Sequence, residues 1–274
     1  MPKSRRILLW LALVWPLAFV AGFGPCSAQA AQLTPHRAIY SIKLTKPQSG
    51  SSLISGNGLM TIQFEKSCDG WITGQTWRMD MNTLDGKTFN SDIRYATWES
   101  FDGLSLRFSM VDKSDGKKES IKGQAKVKSV PGTGSVTYQE PKKKTLNLSE
   151  DAIFPIKHLL KIIEQAEQGK RLVPYVLFDG ASKKGPLRVV TFIGKKHVAG
   201  SVKMPIESDL LNRKGWTMRM AFYPVDSLAA EPDYELEVMQ LTNGVVPFVV
   251  QDYPEFSIEM TLVKLEAVKP VRCS

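Results

Sequence analysis

The sequence predicts a mainly β domain: a long-stranded antiparallel barrel or half-barrel, with one amphipathic helix covering or plugging an opening. Three observations lead there. Turn dipeptides recur at intervals of one strand plus a turn, the segments between them alternate apolar and polar residues, and one stretch near the middle switches to helical periodicity.

The first thirty residues stand apart from this domain. Lys3, Arg5 and Arg6 form a charged leader, Ile7 to Phe23 is apolar apart from Pro16 and Gly22, and Ala28-Gln29-Ala30 places small residues at −3 and −1. That is the pattern of a secretory signal peptide cleaved after Ala30, leaving residues 31–274 as a single domain exported to the periplasm. A retained anchor is the alternative, although the apolar stretch is near the lower limit for a bilayer span. Cys26 follows Pro25, where a lipoprotein signal wants a small residue. Of the 36 basic residues, Lys3, Arg5 and Arg6 leave with the signal, so 33 face 27 acids and the exported net charge is +6. A mild positive balance suits an anionic envelope component as a partner, or simply a solvated surface.

The exported part opens with a meander. Asn57-Gly58, Asp69-Gly70, Asp85-Gly86, Asp102-Gly103 and Asp115-Gly116 recur every 12 to 17 positions, and Asp179-Gly180 and Asn243-Gly244 follow later. Such dipeptides tolerate the positive φ that tight hairpin turns demand. Between them the period is two. Met60, Ile62 and Phe64 face one way, while Thr61, Gln63 and Glu65 face the other. Leu104, Leu106, Phe108 and Met110 repeat the pattern, as do Trp216, Met218, Met220 and Phe222, and Phe256, Ile258, Met260 and Leu262. Tyr234, Leu236 and Val238 leave Glu235 and Glu237 to solvent. One apolar and one wet face is the antiparallel signature.

The helix is expected from Pro155, suited to a first helical position, to just before Gly169, suited to the position past the end. Ile156, Leu159, Leu160, Ile163 and Ala166 form one stripe; Lys157, Lys161, Glu164, Gln165 and Gln168 lie opposite. This helix, the basic residues scattered along the strands and an ending on Cys273-Ser274 argue against a membrane-spanning barrel, since lipid-facing Lys or Arg costs about 2–4 kcal/mol at mid-bilayer. No membrane span is expected in the mature form.

Once Cys26 is removed, Cys68 and Cys273 are the two remaining cysteines. In an oxidising compartment such a pair argues for a disulfide, two free thiols being the alternative. Catalytic material is sparse. His36, His158 and His197 lack metal-ligand spacing, and no G-x-S-x-G elbow occurs. Gly56-Asn57-Gly58 and Gly132-Thr133-Gly134 read as turns rather than phosphate loops. No catalytic residue, cofactor or metal is assigned. Lys117-Lys118, Lys142 to Lys144, Lys183-Lys184 and Lys195-Lys196 look like hairpin tips that keep edges soluble. Trp71, Trp77, Met79 and Met81 share one strand face, where they either fill a core or line an apolar cavity.

At Ala96-Thr97-Trp98-Glu99-Ser100-Phe101-Asp102-Gly103 the chain resembles the EipB family of periplasmic cell-envelope integrity proteins. Leu177-Phe178-Asp179-Gly180, Tyr223-Pro224-Val225, Pro232 to Leu241, Asn243-Gly244-Val245-Val246 and Asp252-Tyr253 extend the resemblance, as do Phe154-Pro155 with His158 and a cysteine near each end. It spans His36 to Cys273 and lies in the order and spacing of segments, no single one being specific. The resemblance implies a spiral-like antiparallel β-barrel, a disulfide between Cys68 and Cys273, and a part in maintaining the envelope, with no catalytic activity assigned. The expected role is a non-catalytic scaffold or binding protein, with an envelope protein or anionic envelope component as partner and no nucleic acid. A looser architectural likeness to periplasmic lipoprotein carriers offers carriage of a lipid or lipidated protein as an alternative. Hydrolysis of an envelope polymer is a third, because glycosidase carboxylates can come from distant strands.

The exported chain should therefore begin at Ala31 and lack Cys26. N-terminal sequencing of periplasmic protein tests this, and a mature chain that retained residues before Gly22 would rule it out.

Overall fold

The computed structural model describes residues 32–45, 47, 51–183, 185–225, 229–269 and 271–273; the expected cleavage site and Lys184 lie outside them. The meander is longer than the turn dipeptides indicated. Eight strands follow one another as antiparallel hairpins: β1 (His36–Thr45), β2 (Leu53–Lys66), β3 (Gly70–Thr83), β4 (Thr88–Ser100), β5 (Ser105–Ser114), β6 (Lys117–Val127), β7 (Gly134–Glu140) and β8 (Lys144–Leu148). Then come β9 (Ala152–Ile153), the helix α1 (Pro155–Glu167), β10 (Leu172–Leu177), β11 (Leu187–His197), β12 (Gly215–Pro224), β13 (Tyr234–Leu241), β14 (Phe248–Asp252) and β15 (Ser257–Ala267).

All fifteen strands belong to one sheet, ordered β8-β7-β6-β5-β4-β3-β2-β1-β15-β14-β13-β12-β11-β10-β9. The first and last strands in sequence therefore pair at its centre, Tyr40 opposite Leu262. The strands consecutive at mid-chain, β8 and β9, stand at its two ends, with only residues 149–151 between them. Two sheet ends joined by so short a link must lie side by side, which bends the sheet into a nearly closed, spiral barrel.

Side-chain packing completes the closure. Leu106, Phe108, Ile121, Val127, Val136 and Leu148 from one end form a single core with Ala152, Phe154 and Phe178 from the other. The Phe108 ring meets Phe178 edge-on at 5.6 Å. Asp179-Gly180, expected as a hairpin turn, is the start of the β10–β11 connection tucked into this seam. Gly180 has φ of +76°, and a Cβ there would fall 2.3 Å from the Phe108 ring, so only glycine fits. Tyr95 donates to the Asp179 carbonyl, Tyr138 to that of Ser182, and Lys183 pairs with Glu119 at 2.8 Å.

β9 and β10 run parallel, unlike the other pairs described, and parallel neighbours need a long crossover, which α1 supplies. Pro155 occupies its first turn, and Gly169 ends it with φ of +78° while the Lys170 N–H reaches the Gln165 carbonyl. The buried sector is wider than the expected stripe. Ile156, Ile163 and Ala166 are buried and Leu159 and Leu160 half-buried, but His158 and Ile162 are covered as well. The helix sinks into the barrel opening and is packed from two sides: by Leu33, Phe64 and Trp71, and by Val173, Leu177 and Met218.

The alternating rows of β2, β5, β12, β13 and β15 do turn their apolar members inward. Two local expectations change. Asn57-Gly58, with Gly56, lies inside β2 rather than in a turn; Gly58 is there because a Cβ would sit 2.1 Å from the Arg78 carbonyl on β3. Lys195-Lys196 belong to the end of β11 rather than to a tip, with Lys196 over the Trp216 ring. Lys117-Lys118 open β6 directly after the Asp115-Gly116 turn, and Lys142 and Lys143 do form the β7–β8 turn.

Cys68, in the β2–β3 turn, is joined to Cys273 beyond β15 by a disulfide, with Cα atoms 5.6 Å apart and 205 positions between them in sequence. Bridging so long a loop stabilises by at most about 5 kcal/mol in the chain-entropy model. Cys68→Ser and Cys273→Ser should each lower the melting temperature by the same amount, and the double substitution should add nothing further. Thermal unfolding under oxidising conditions that left both variants at the wild-type value would refute a stabilising bridge.

Candidate functional site

Along the inward face of β3 the large residues Trp71, Trp77, Met79 and Met81 are interrupted by Thr73 and Gln75. The large ones are packed: Trp71 stacks on Phe64 at 4.9 Å, and Trp77, Met79 and Met81 join the core under β1, β2 and β15. The shorter pair leaves space. Inward rows of β1 (His36, Tyr40), β2 (Ile62, Phe64) and β4 (Tyr95, Thr97) surround it, and the first turns of α1 and Val246 after β13 close it off. The result is a half-open pocket of about 230 Å3, mostly apolar, with a few neutral polar groups.

Those polar groups are already oriented. Tyr40 donates its hydroxyl to the Val246 carbonyl at 2.8 Å, and Gln240 donates to the Leu241 carbonyl at 2.9 Å. His36 Nδ1 lies 2.8 Å from the Thr34 carbonyl, which can only accept, so Nδ1 carries the proton and Nε2 is left as an acceptor. Burial holds His36 below its ordinary pKa, in the neutral form.

The wall beside the pocket depends on Glu99. The N-cap of α1 is Phe154, whose side chain cannot accept a hydrogen bond, and Pro155 has no N–H. The donors without an intrahelical partner are the N–H groups of Ile156 and Lys157, and they donate to Glu99 Oε2 and Oε1 at 2.7 and 2.8 Å. A carboxylate on β4 thus caps a helix that starts more than fifty residues later, and the helix dipole favours it there. Glu99 is only 1% exposed, and burial pushes its carboxyl up to about 7 against the opposing pull of the two N–H groups and Lys157.

The remaining candidates are dispersed. His158, on α1, is held to about 4 by burial, has no partner for Nε2, and meets the Tyr175 ring edge-on. His197, on β11, bonds Thr217 Oγ1 at 2.9 Å. Asp179 Oδ1 accepts from the Ala181 N–H within its own turn. Glu235 and Glu237, expected to face solvent, do so while sharing Arg219 with Asp252 at 2.7, 3.5 and 3.3 Å, because β13 places them beside Arg219 on β12. Among the described residues no three His, Cys, Asp or Glu side chains gather as metal ligands. The capping role of Glu99 was not anticipated from sequence, and the cavity offered as an alternative on the β3 face opens at Thr73 and Gln75 rather than along Trp71, Trp77, Met79 and Met81. The signals present were the polar break in the β3 row and the odd-numbered register Tyr95, Thr97, Glu99, which turns a carboxylate inward.

Comparison with known proteins agrees with this architecture. The family model described as EipB-like matches residues 27–269. The cell envelope integrity protein EipB of Brucella abortus (strain 2308) is 28% identical over 256 residues, covering 90% of this chain and 89% of that protein. The crystal structure of a β-barrel-like protein of a domain of unknown function, DUF1849, also from Brucella abortus, is similar with a TM-score of 0.80 and 25% identity. That likeness covers 88% of this chain and all of the other.

Glu99 should give stability a pH signature. Its carboxyl titrates near 4.5 when unfolded and near 7 when folded, so the folded state holds the proton more tightly. The contribution is fully present below the lower value and is lost as pH rises through the upper one. Glu99→Gln should remove that downward slope. Glu99→Ala, which orphans both N–H groups, should cost about 2 kcal/mol. Urea unfolding across this window measures both, and parallel wild-type and Glu99→Gln profiles would refute the assignment.

Proposed function

The chain belongs to the EipB-like family, and from that premise we propose that it supports cell-envelope integrity from the periplasm as a non-catalytic scaffold or binding protein. The observation that carries this reading is the state of the barrel interior. Its buried carboxyls are engaged by the fold, both Glu99 oxygens capping α1 and Asp179 closing its own turn; His158 lies against Tyr175 outside the pocket, and His36 faces a lining that holds no carboxylate. A hydrolase needs a nucleophile with a base, or two carboxylates facing a shared space, and the pocket offers neutral donors and acceptors instead.

Within this pocket the carrier alternative meets a limit of size, although an open groove of about 930 Å3 lined by Leu59, Arg78, Asn90 and Lys113 lies elsewhere on the sheet. Sites for drug-sized ligands span roughly 300–1,000 Å3, and this pocket offers about 230 Å3. That suits a short apolar segment of a partner better than a whole lipid. Lipid recovered stoichiometrically with purified protein, detected by mass spectrometry, would put the carrier ahead.

Complementation of a deletion strain under envelope stress tests the proposed role. His158→Gln, His197→Gln and Asp252→Asn, expressed at wild-type abundance, should each restore resistance. A well-folded variant that failed to do so would expose a specific chemical requirement and favour the enzyme.

A further inference from the structure

The positive charge of the exported chain is concentrated in one place. Between Leu104 and Leu148 there are ten lysines and arginines against four acids, a surplus of six; the rest of residues 31–274 holds 23 of each. The whole net charge of the exported part therefore sits on β5 to β8.

Within that segment the strand register sorts the charges. The inward residues Leu106, Phe108, Ile121, Ala125 and Val127 are buried in the seam core. The outward rows carry Arg107 and Lys113 on β5 and Lys118, Lys122 and Lys126 on β6, all exposed and with no acid among them. Asp112 and Glu119 oppose each other in the alternate register, Asp115 is in the turn, and Glu140 stands at the β7 end opposite Lys122. None of the five outward cations is in an ion pair among the described residues, whereas Arg78, Arg94 and Arg219 on other strands each are. Arg107 instead lies over the Trp98 ring at 4.4 Å, near Asp69 of the β2–β3 turn. Lys113 and Lys118 are direct cross-strand partners, an arrangement of like charges that costs stability unless something anionic covers it.

We infer that this outward face of β5 and β6 docks on a membrane surface bearing anionic phosphate headgroups. At about 3.4 Å per residue, Lys118, Lys122 and Lys126 extend along roughly 27 Å of strand, a row of separated points rather than one clasping site. Lysine is a mobile point charge suited to an array of headgroups, whereas arginine forks around a single phosphate. Each lysine near an anionic bilayer contributes about 1 kcal/mol, roughly fivefold in binding. Lys142, Lys143 and Lys144 add charge at the adjoining β7–β8 turn. The inference rests on the envelope location proposed above, because export brings this face to phospholipid.

Co-sedimentation of the full mature chain tests it, using vesicles of phosphatidylcholine alone and of phosphatidylcholine with phosphatidylglycerol in equal parts. The chain should sediment with the second and not the first, and added salt should release it. K118Q, K122Q and K126Q together should lower partitioning about a hundredfold with no fall in melting temperature, since repulsion is relieved. K43Q, K170Q and K203Q together, off the face, should change it little. Equal sedimentation with both vesicles, none with either, an equal loss in the two triple variants, or equally tight binding to soluble polyphosphate would each overturn membrane docking. The measurement reads the face without the cell, so its failure would leave the envelope role standing.

Discussion

The fold hangs on a three-residue link. Residues 149–151 connect β8 and β9, the two extreme strands of a fifteen-stranded sheet, and a link that short cannot span an open sheet. Closure follows from connectivity, and the seam is then sealed by side chains. Phe154 and Phe178 come from one side and Phe108 and Tyr138 from the other. This explains why the β10–β11 connection, which would be a free surface loop in an open sheet, is tied to β4, β6 and β7 at Tyr95, Glu119 and Tyr138.

The same connectivity produces the helix and the pocket. Entering β10 parallel to β9 requires a crossover, and α1 is the crossover, sunk into the opening that the curved sheet leaves. Its N-terminus arrives over β4 without a capping side chain of its own, and Glu99 meets it. A buried carboxylate is costly unless its oxygens are matched, and two helix N–H groups match both. The space that remains lies where β3 offers Thr73 and Gln75 in place of another tryptophan or methionine. Pocket, cap and helix are therefore one assembly, and disturbing the helix start alters all three.

The outer surface divides in a complementary way. Beyond the seam core, β5 and β6 present unpaired cations, while around β12 to β14 the single cation Arg219 is held by three carboxylates. The two faces differ in kind: the pocket side presents neutral polar groups, and the outer side of β5 and β6 carries a directional charge. Apolar side chains turned inward and lysines outward are also the reverse of what a hydrocarbon-facing barrel requires.

What the sequence determined by itself is what depends on near neighbours. Period-two rows, the Pro155-to-Gly169 helix and most Asp-Gly turns are set by backbone sterics and side chains within a few positions, so they are legible without a partner. The Cys68–Cys273 bridge is legible for another reason: with Cys26 expected to leave with the signal, the remaining pair admits one connectivity. The resemblance carried the spiral barrel further than the residues alone could. The tertiary structure decided the rest, because each remaining feature joins groups distant in sequence. Glycine at position 58 answers to a carbonyl on the next strand rather than to a turn, and Gly180 answers to Phe108 across the seam. Ile162 and His158 are covered because the helix is packed from two sides, which its own hydrophobic stripe does not encode. Glu99 reads as one polar residue in a strand until the chain closes, when its two oxygens accept from the Ile156 and Lys157 N–H groups.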